Sequence, residues 1–145
     1  MDAKLEEGLE LTASQPDCIK AVFTDSQEKS FILAEDERGK VFLFERFQSP
    51  AVFIEVIHTG ADKIRGNHVH ETCDEVLHVV SGEIELYLLC EHAKHVFKHV
   101  MRKGDAVVTP KGVPHALRSI EESECVVLFD KDPRNDRARV PILKF

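Results

Sequence analysis

Three histidines and a glutamate carry the chemistry this chain is able to do. Residues 65–75 read "RGNHVHETCDE", in which His68 and His70 flank one valine and Glu75 follows five residues after the second histidine. In a strand, positions i and i+2 point to the same face, so both imidazoles aim one way. Further along, "GDAVVTPKGVPH" (104–115) ends on His115. Three imidazoles and a carboxylate are a common ligand set for a divalent metal such as Fe, Mn, Ni or Zn. Without a metal, an imidazole of ordinary pKa about 6.5 can act as an acid–base group near neutral pH. The plainest alternative is a set of turn histidines with no shared role, because eight histidines in 145 residues make some chance pairs inevitable.

Such a constellation needs rigid support, and the rest of the sequence offers strands. "CIKAVF" (18–23), "SFILAE" (30–35), "KVFLFERF" (40–47) and "AVFIEVIH" (51–58) are short apolar runs rich in Val, Ile and Phe. "EVLHVVSG" (75–82), "EIELYLLC" (83–90), "HVFKHVM" (95–101), "DAVVTP" (105–110), "ALRSI" (116–120) and "ECVVLF" (124–129) continue the series. "DERG" (36–39), "QSP" (48–50), "SGE", "RKGD" and "PKGVP" punctuate it as turns and breaks. Closely spaced strands with no helix-length periodic segment between them predict an all-β fold, a small antiparallel β-barrel or jelly roll. In that reading His68 and His70 come from one strand, Glu75 from its neighbour across a turn, and His115 from a strand that closes the mouth. Residues 1–35 are expected to form an N-terminal segment and leading strands, 36–130 the barrel, and 131–145 an irregular tail. Residues 1–17 are acidic and polar, a short helix or loose chain, and the polar tail with Pro133 and Pro141 is expected to wrap the outside.

These residues resemble the cupin superfamily. Its first motif runs glycine, five residues, HxH, three or four residues, Glu, six residues, Gly; His68, His70, Glu75 and Gly82 fit it. Its second runs glycine, five residues, PxG, two residues, His, three residues, Asn; Gly104, Pro110, Gly112 and His115 fit that. Two positions depart: Asp62 stands where the first glycine belongs, and Ser119 where the final asparagine belongs. The resemblance implies that His68, His70, Glu75 and His115 bind one divalent metal ion. A narrower resemblance joins "DERG" and "RGNHVH" to cupins that isomerise or epimerise nucleotide-linked keto sugars, in some of which the histidines act as acid–base groups without metal.

Composition narrows the partners. A net charge of −7 argues against a nucleic-acid surface, which would need clustered Lys and Arg. No apolar run is long enough to span a membrane, and the acidic start does not resemble a signal peptide. Cys18, Cys73, Cys90 and Cys125 are irregularly spaced with no CxxC pair, so reduced thiols in a cytoplasm are expected, with Cys90 and Cys125 as small core residues. Arg65 could hold a substrate carboxylate or phosphate through its planar fork, or be a solvated loop arginine. Tyr87 is open between a pocket acid and an outer-surface position, and Cys73 between a group that tunes the site and a loop thiol. His92, His95 and His99 read as surface or subunit-contact histidines. His78 shares the outer face of its strand with Val76 and Val80, and an apolar outer face points to a homodimer.

The leading functional expectation is an isomerase or epimerase acting on a carbonyl-containing small molecule such as a nucleotide-linked keto sugar. His68, His70 and Arg65 are its candidate catalytic residues. An Fe(II)-dependent dioxygenase and a non-catalytic small-molecule-binding cupin are the alternatives.

Overall fold

The computed structural model describes residues 2–24, 31–37, 39–43 and 53–145. In chain order its strands are β1 (Lys4–Leu5), β2 (Glu10–Thr12), β3 (Val22–Thr24), β4 (Phe31–Asp36), β5 (Gly39–Leu43), β6 (Phe53–Thr59), β7 (Ile64–His70) and β8 (Glu75–Ser81). They continue with β9 (Glu83–Cys90), β10 (His95–Arg102), β11 (Ala106–Thr109), β12 (His115–Ser119), β13 (Ser123–Phe129), β14 (Arg137–Arg139) and β15 (Leu143–Lys144). The described residues contain no helix, as the all-β expectation requires. Two larger sheets form, ordered β14-β7-β12-β9-β10-β2 and β3-β11-β8-β13-β6. β4 and β5 pair as a hairpin with Asp36 opposite Gly39, where "DERG" predicts a turn. Arg38 of that turn and the break expected at 48–50 lie outside the described residues.

The core lies between the two sheets, and side-chain alternation decides what enters it. Along β13, Cys125, Val127 and Phe129 turn inward, joining Leu77 and Val79 of β8 and Ile84, Leu86 and Leu88 of β9. Burying such side chains stabilises the fold by roughly 1.5–3 kcal/mol each. Gly82 makes the tight turn between β8 and β9 at φ +82; a Cβ there would come within 2.5 Å of the Glu122 carbonyl oxygen.

β9 is buried on its other face as well. Tyr87 and Leu89 pack with Val96, Ala116, Ile142 and Leu143 in a second apolar cluster, against which Leu5 and Leu9 also rest. This second cluster explains both ends of the chain. Residues 2–17 form no helix but carry β1 and β2, which pair with β15 and β10; Leu5 of β1 and Leu9, just before β2, rest on this apolar outer face. The tail does wrap the outside, and it adds β14 to the edge of β7. Tyr87 is thereby an outer residue, its hydroxyl donating to Glu85 Oε2 at 2.8 Å.

The reading of all four cysteines as reduced thiols is corrected. Cys18 and Cys90 form a disulfide across a sequence separation of 72, so the reduced-thiol reading, on which the cytoplasmic expectation leaned, fails for that pair. Irregular spacing could not reveal it, because the fold alone brings these Cα atoms to 5.9 Å. His99 is half-buried, its ring packed on Phe23 at a centroid distance of 4.3 Å. No described helix is long and apolar enough to cross a membrane.

Candidate functional site

β7 carries two of the four candidate residues, and it is not a regular strand. Against β12, His115 pairs with His68 and Ala116 with Gly66, which leaves Asn67 as the extra residue of a β-bulge. Gly66 and Asn67 take the left-handed conformation this requires, at φ +81 and φ 56. Residues 65 and 68 would point to opposite faces of a regular strand. The bulge lets Arg65, upstream, and His68 and His70, downstream, all line one cavity.

Glu75 opens β8, which belongs to the other sheet. It is therefore not on a hydrogen-bonded neighbour of β7, as the sequence suggests, but faces it across the core. The Glu75 carboxylate reaches His115 Nε2 with Oε1 at 3.1 Å and His70 Nε2 with Oε2 at 3.3 Å. The ring centroids of His68 lie 4.8 Å from those of both His70 and His115. Ligand-type atoms of the three histidines all fall within 4.8 Å of one another. His115 Nδ1 donates to the Val113 carbonyl at 3.1 Å, so Nε2 is the nitrogen it turns toward Glu75.

These residues fit a metal ion. Ligands about 2.1 Å from a common centre and at right angles to one another stand roughly 3.0 Å apart, close to both Glu75 contacts. The charge states agree. Burial, followed by the charges of His115 and His70, lowers the His68 pKa to about 4, so its imidazole is neutral at pH 7. Burial disfavours the Glu75 carboxylate, yet His115 and His70 outweigh it and hold the pKa below its ordinary value. A neutral His68 imidazole and an ionised Glu75 carboxylate are forms that a divalent cation takes.

The cavity beyond them measures about 180 Å³ and is walled by Ile57, Leu77, Leu117, Val127 and Phe129. Arg65 stands at its rim, with Nε donating to Thr59 Oγ1 at 2.8 Å and Nη2 to the His58 carbonyl at 2.7 Å. Arg137 of β14 lines the same rim and pairs with Glu55. Residues 53–129, more than half of the chain, match the family model described as Cupin domain. The chain belongs to the cupin family.

Solved structures share the fold. A 3,4-ketoisomerase from Helicobacter canadensis superposes with TM-score 0.69 at 19% identity, over 83% of this chain and 91% of that one. A sugar 3,4-ketoisomerase from Thermoanaerobacterium thermosaccharolyticum, in complex with TDP, gives 0.68 at 15% identity over 82% and 87%. The dTDP-6-deoxy-D-glucose-3,5-epimerase of Legionella pneumophila, in complex with dTDP-4-keto-L-rhamnose, gives 0.62 at 14% over 77% and 72%. No curated protein matches this cupin in sequence.

The sequence points to His68, His70, Glu75 and His115, which the structure brings together, but it does not point to others. Asn67, Glu55, Arg137 and Asp136 belong to this cupin's site or its supports, and none sits at a motif spacing. Only the "GN" pair, a turn signal inside an otherwise strand-like run, hints at the bulge. Cys73 is a fully buried thiol in the turn between β7 and β8.

Proposed function

We propose that this cupin holds one divalent metal ion (Fe, Mn, Ni or Zn) on His68, His70, Glu75 and His115. It acts as an isomerase or epimerase on a carbonyl-containing small molecule, such as a nucleotide-linked keto sugar. The observation that carries this reading is the convergence of three imidazoles and one carboxylate at the cavity that Arg65 borders. When bound, the ion supplies Lewis-acid polarisation of a carbonyl oxygen.

The chain's own residues do the rest. The cavity of about 180 Å³ is below the roughly 300–1,000 Å³ of sites that enclose drug-sized ligands. It takes a reacting sugar ring or a compound of that size, and a nucleotide would lie at the mouth. Arg65, its side chain fixed by Thr59 and His58, presents a guanidinium there to an anionic group. The apolar wall excludes water from the reacting carbon. His68, the least buried of the three imidazoles and neutral at pH 7, is the group to accept an α-proton if no ion occupies the site. The neighbours above, whose names specify keto-sugar isomerisation and epimerisation, support the substrate class. A homodimer is part of this proposal, supported by the exposure of Ile54 and Val56 on β6.

Elemental analysis of chelator-free protein tests the metal: about one atom per chain is expected, and none in His115→Ala. The loaded protein is then incubated in D2O with a panel of TDP-linked 4-keto hexoses. Deuterium at the carbon next to the carbonyl supports the reading, and its absence across the panel sinks it. Oxygen uptake by iron-loaded protein alone would favour a dioxygenase instead.

A further inference from the structure

On the Nδ1 side of His70 lies a second buried group. Ligand-type atoms of His70, Cys73 and Asp136 fall within 4.8 Å of one another. This group is not a second metal site. Cys73 Sγ donates to the carbonyls of Lys131 and Asp132 at 3.6 and 3.5 Å, and a thiol spent as a donor is not a thiolate ligand.

Asp136 comes from the tail, just before β14, and gathers the turn that joins His70 to Glu75. Its carboxylate accepts from Thr72 N at 2.9 and 3.1 Å and from Cys73 N at 2.8 Å. Its backbone carbonyl accepts from Glu71 N at 3.4 Å. Three successive amides are thus tied to one residue of a distant segment. Meanwhile His70 Nδ1 is buried with no hydrogen-bond partner, and Asp136 Oδ2 stands 3.8 Å from it.

We propose that Asp136 is the positioning residue of the metal centre, the acceptor for the His70 Nδ1 proton. The inference rests on the metal reading above. If Nε2, the nitrogen that faces Glu75, takes a metal ion, Nδ1 must carry the proton, and that proton has to be received in a buried place. Metal-bound histidines nearly always donate their second N–H to a carboxylate, carbonyl or water, which fixes the ring and strengthens the ligand. A shift of about 1 Å by either side chain brings 3.8 Å into hydrogen-bond range. The same aspartate sets the course of the 71–73 turn, so one tail residue governs both the ring of His70 and its separation from Glu75.

Zinc affinity is measured on the full chain by competition with a chromophoric chelator, for wild type and Asp136→Asn. The variant is expected to bind about 10–100-fold more weakly while keeping the wild-type circular dichroism spectrum. Equal affinity within about twofold would overturn the inference while leaving the metal reading intact; a wild type that binds no zinc would overturn both. A second measurement needs no variant. In zinc-loaded wild type with 15N-labelled histidine, His70 Nδ1 is expected to show a bound proton protected from exchange with water. A His70 whose Nδ1 carries no protected proton would refute the role.

Discussion

The Asp62 N–H donates to the Ser119 carbonyl at 2.8 Å, so the two positions that depart from the cupin motifs hold each other. The ladder continues with Ser119 N–H donating to the Lys63 carbonyl at 3.0 Å. Asp62 takes φ 58, the left-handed region that a glycine would enter freely and that aspartate tolerates better than most residues. Its carboxylate also pairs with Arg118. The loop shape that glycine would allow is therefore kept by an aspartate.

Asp62→Gly is expected to leave stability within about 0.5 kcal/mol, because relief of the positive φ offsets the loss of a half-exposed ion pair. Asp62→Val, which keeps neither the pair nor a tolerant backbone, is expected to cost about 1–2 kcal/mol. Urea unfolding of the two variants measures this, and equal losses would mean that φ is not what constrains the position.

The outer face of β9 gives a pH dependence. Burial opposes ionisation of Glu85, but hydrogen bonds from Tyr87, Lys98 and Arg118 outweigh it and lower its pKa from the ordinary 4.5. A depressed folded-state pKa stabilises the fold fully above the unfolded value and loses that contribution as pH falls through the folded one. Glu85→Gln should thus cost about 1 kcal/mol at pH 7 once solvent screening is counted. The gap from wild type should narrow as the pH drops below 4.5. Thermal unfolding across pH 3–7 reads it; a gap that stays constant with pH would rule the carboxylate out as its source.

The Cys18–Cys90 disulfide closes a loop with a sequence separation of 72. In the chain-entropy account a loop of that length stabilises by about 4 kcal/mol. Dithiothreitol is expected to lower the Tm of wild type and to leave Cys18→Ser unchanged. The same reductant is not expected to act through Cys73 or Cys125, which are free and buried. Equal melting of wild type with and without reductant would contradict the bond.

What could be read from the sequence follows from distance along the chain. A strand was legible in "ECVVLF" itself, but its inward set Cys125, Val127 and Phe129 was not, because every residue after Glu124 is apolar and alternation has nothing to contrast. The pair His68 and His70 was legible through alternation, and Glu75 and His115 became legible through motif spacing. Asp136 was not, because one aspartate in a polar tail carries no period, and only the β7–β14 pairing brings it beneath His70. Likewise, Cys18 and Cys90 look like unrelated thiols until the sheets are assembled. The placement of Glu75 on the opposite sheet is a matter of topology, which side-chain pattern alone does not contain.

Asn67 is where local backbone and distant tail meet. Its Oδ1 accepts from the amides of Ile142 and Leu143, both at 2.9 Å, and its Nδ2 donates to the Leu143 carbonyl at 2.9 Å. Asn67→Gly keeps the left-handed backbone of the bulge but removes all three bonds, each worth about 1 kcal/mol. The variant is expected to lose about 2–4 kcal/mol. Hydrogen exchange should quicken at Ile142 and Leu143, while zinc affinity stays within about twofold because His68 is still aimed by the bulge. Asn67→Val loses the clamp and cannot adopt φ 56 without strain, so it should lower zinc affinity as well. If the glycine variant exchanged as slowly as wild type at Ile142 and Leu143, the tail would be held by its apolar contacts on Tyr87 and Leu89 rather than by Asn67. If it lost zinc as badly as the valine variant, the carboxamide, and not the bulge, would be what aims His68.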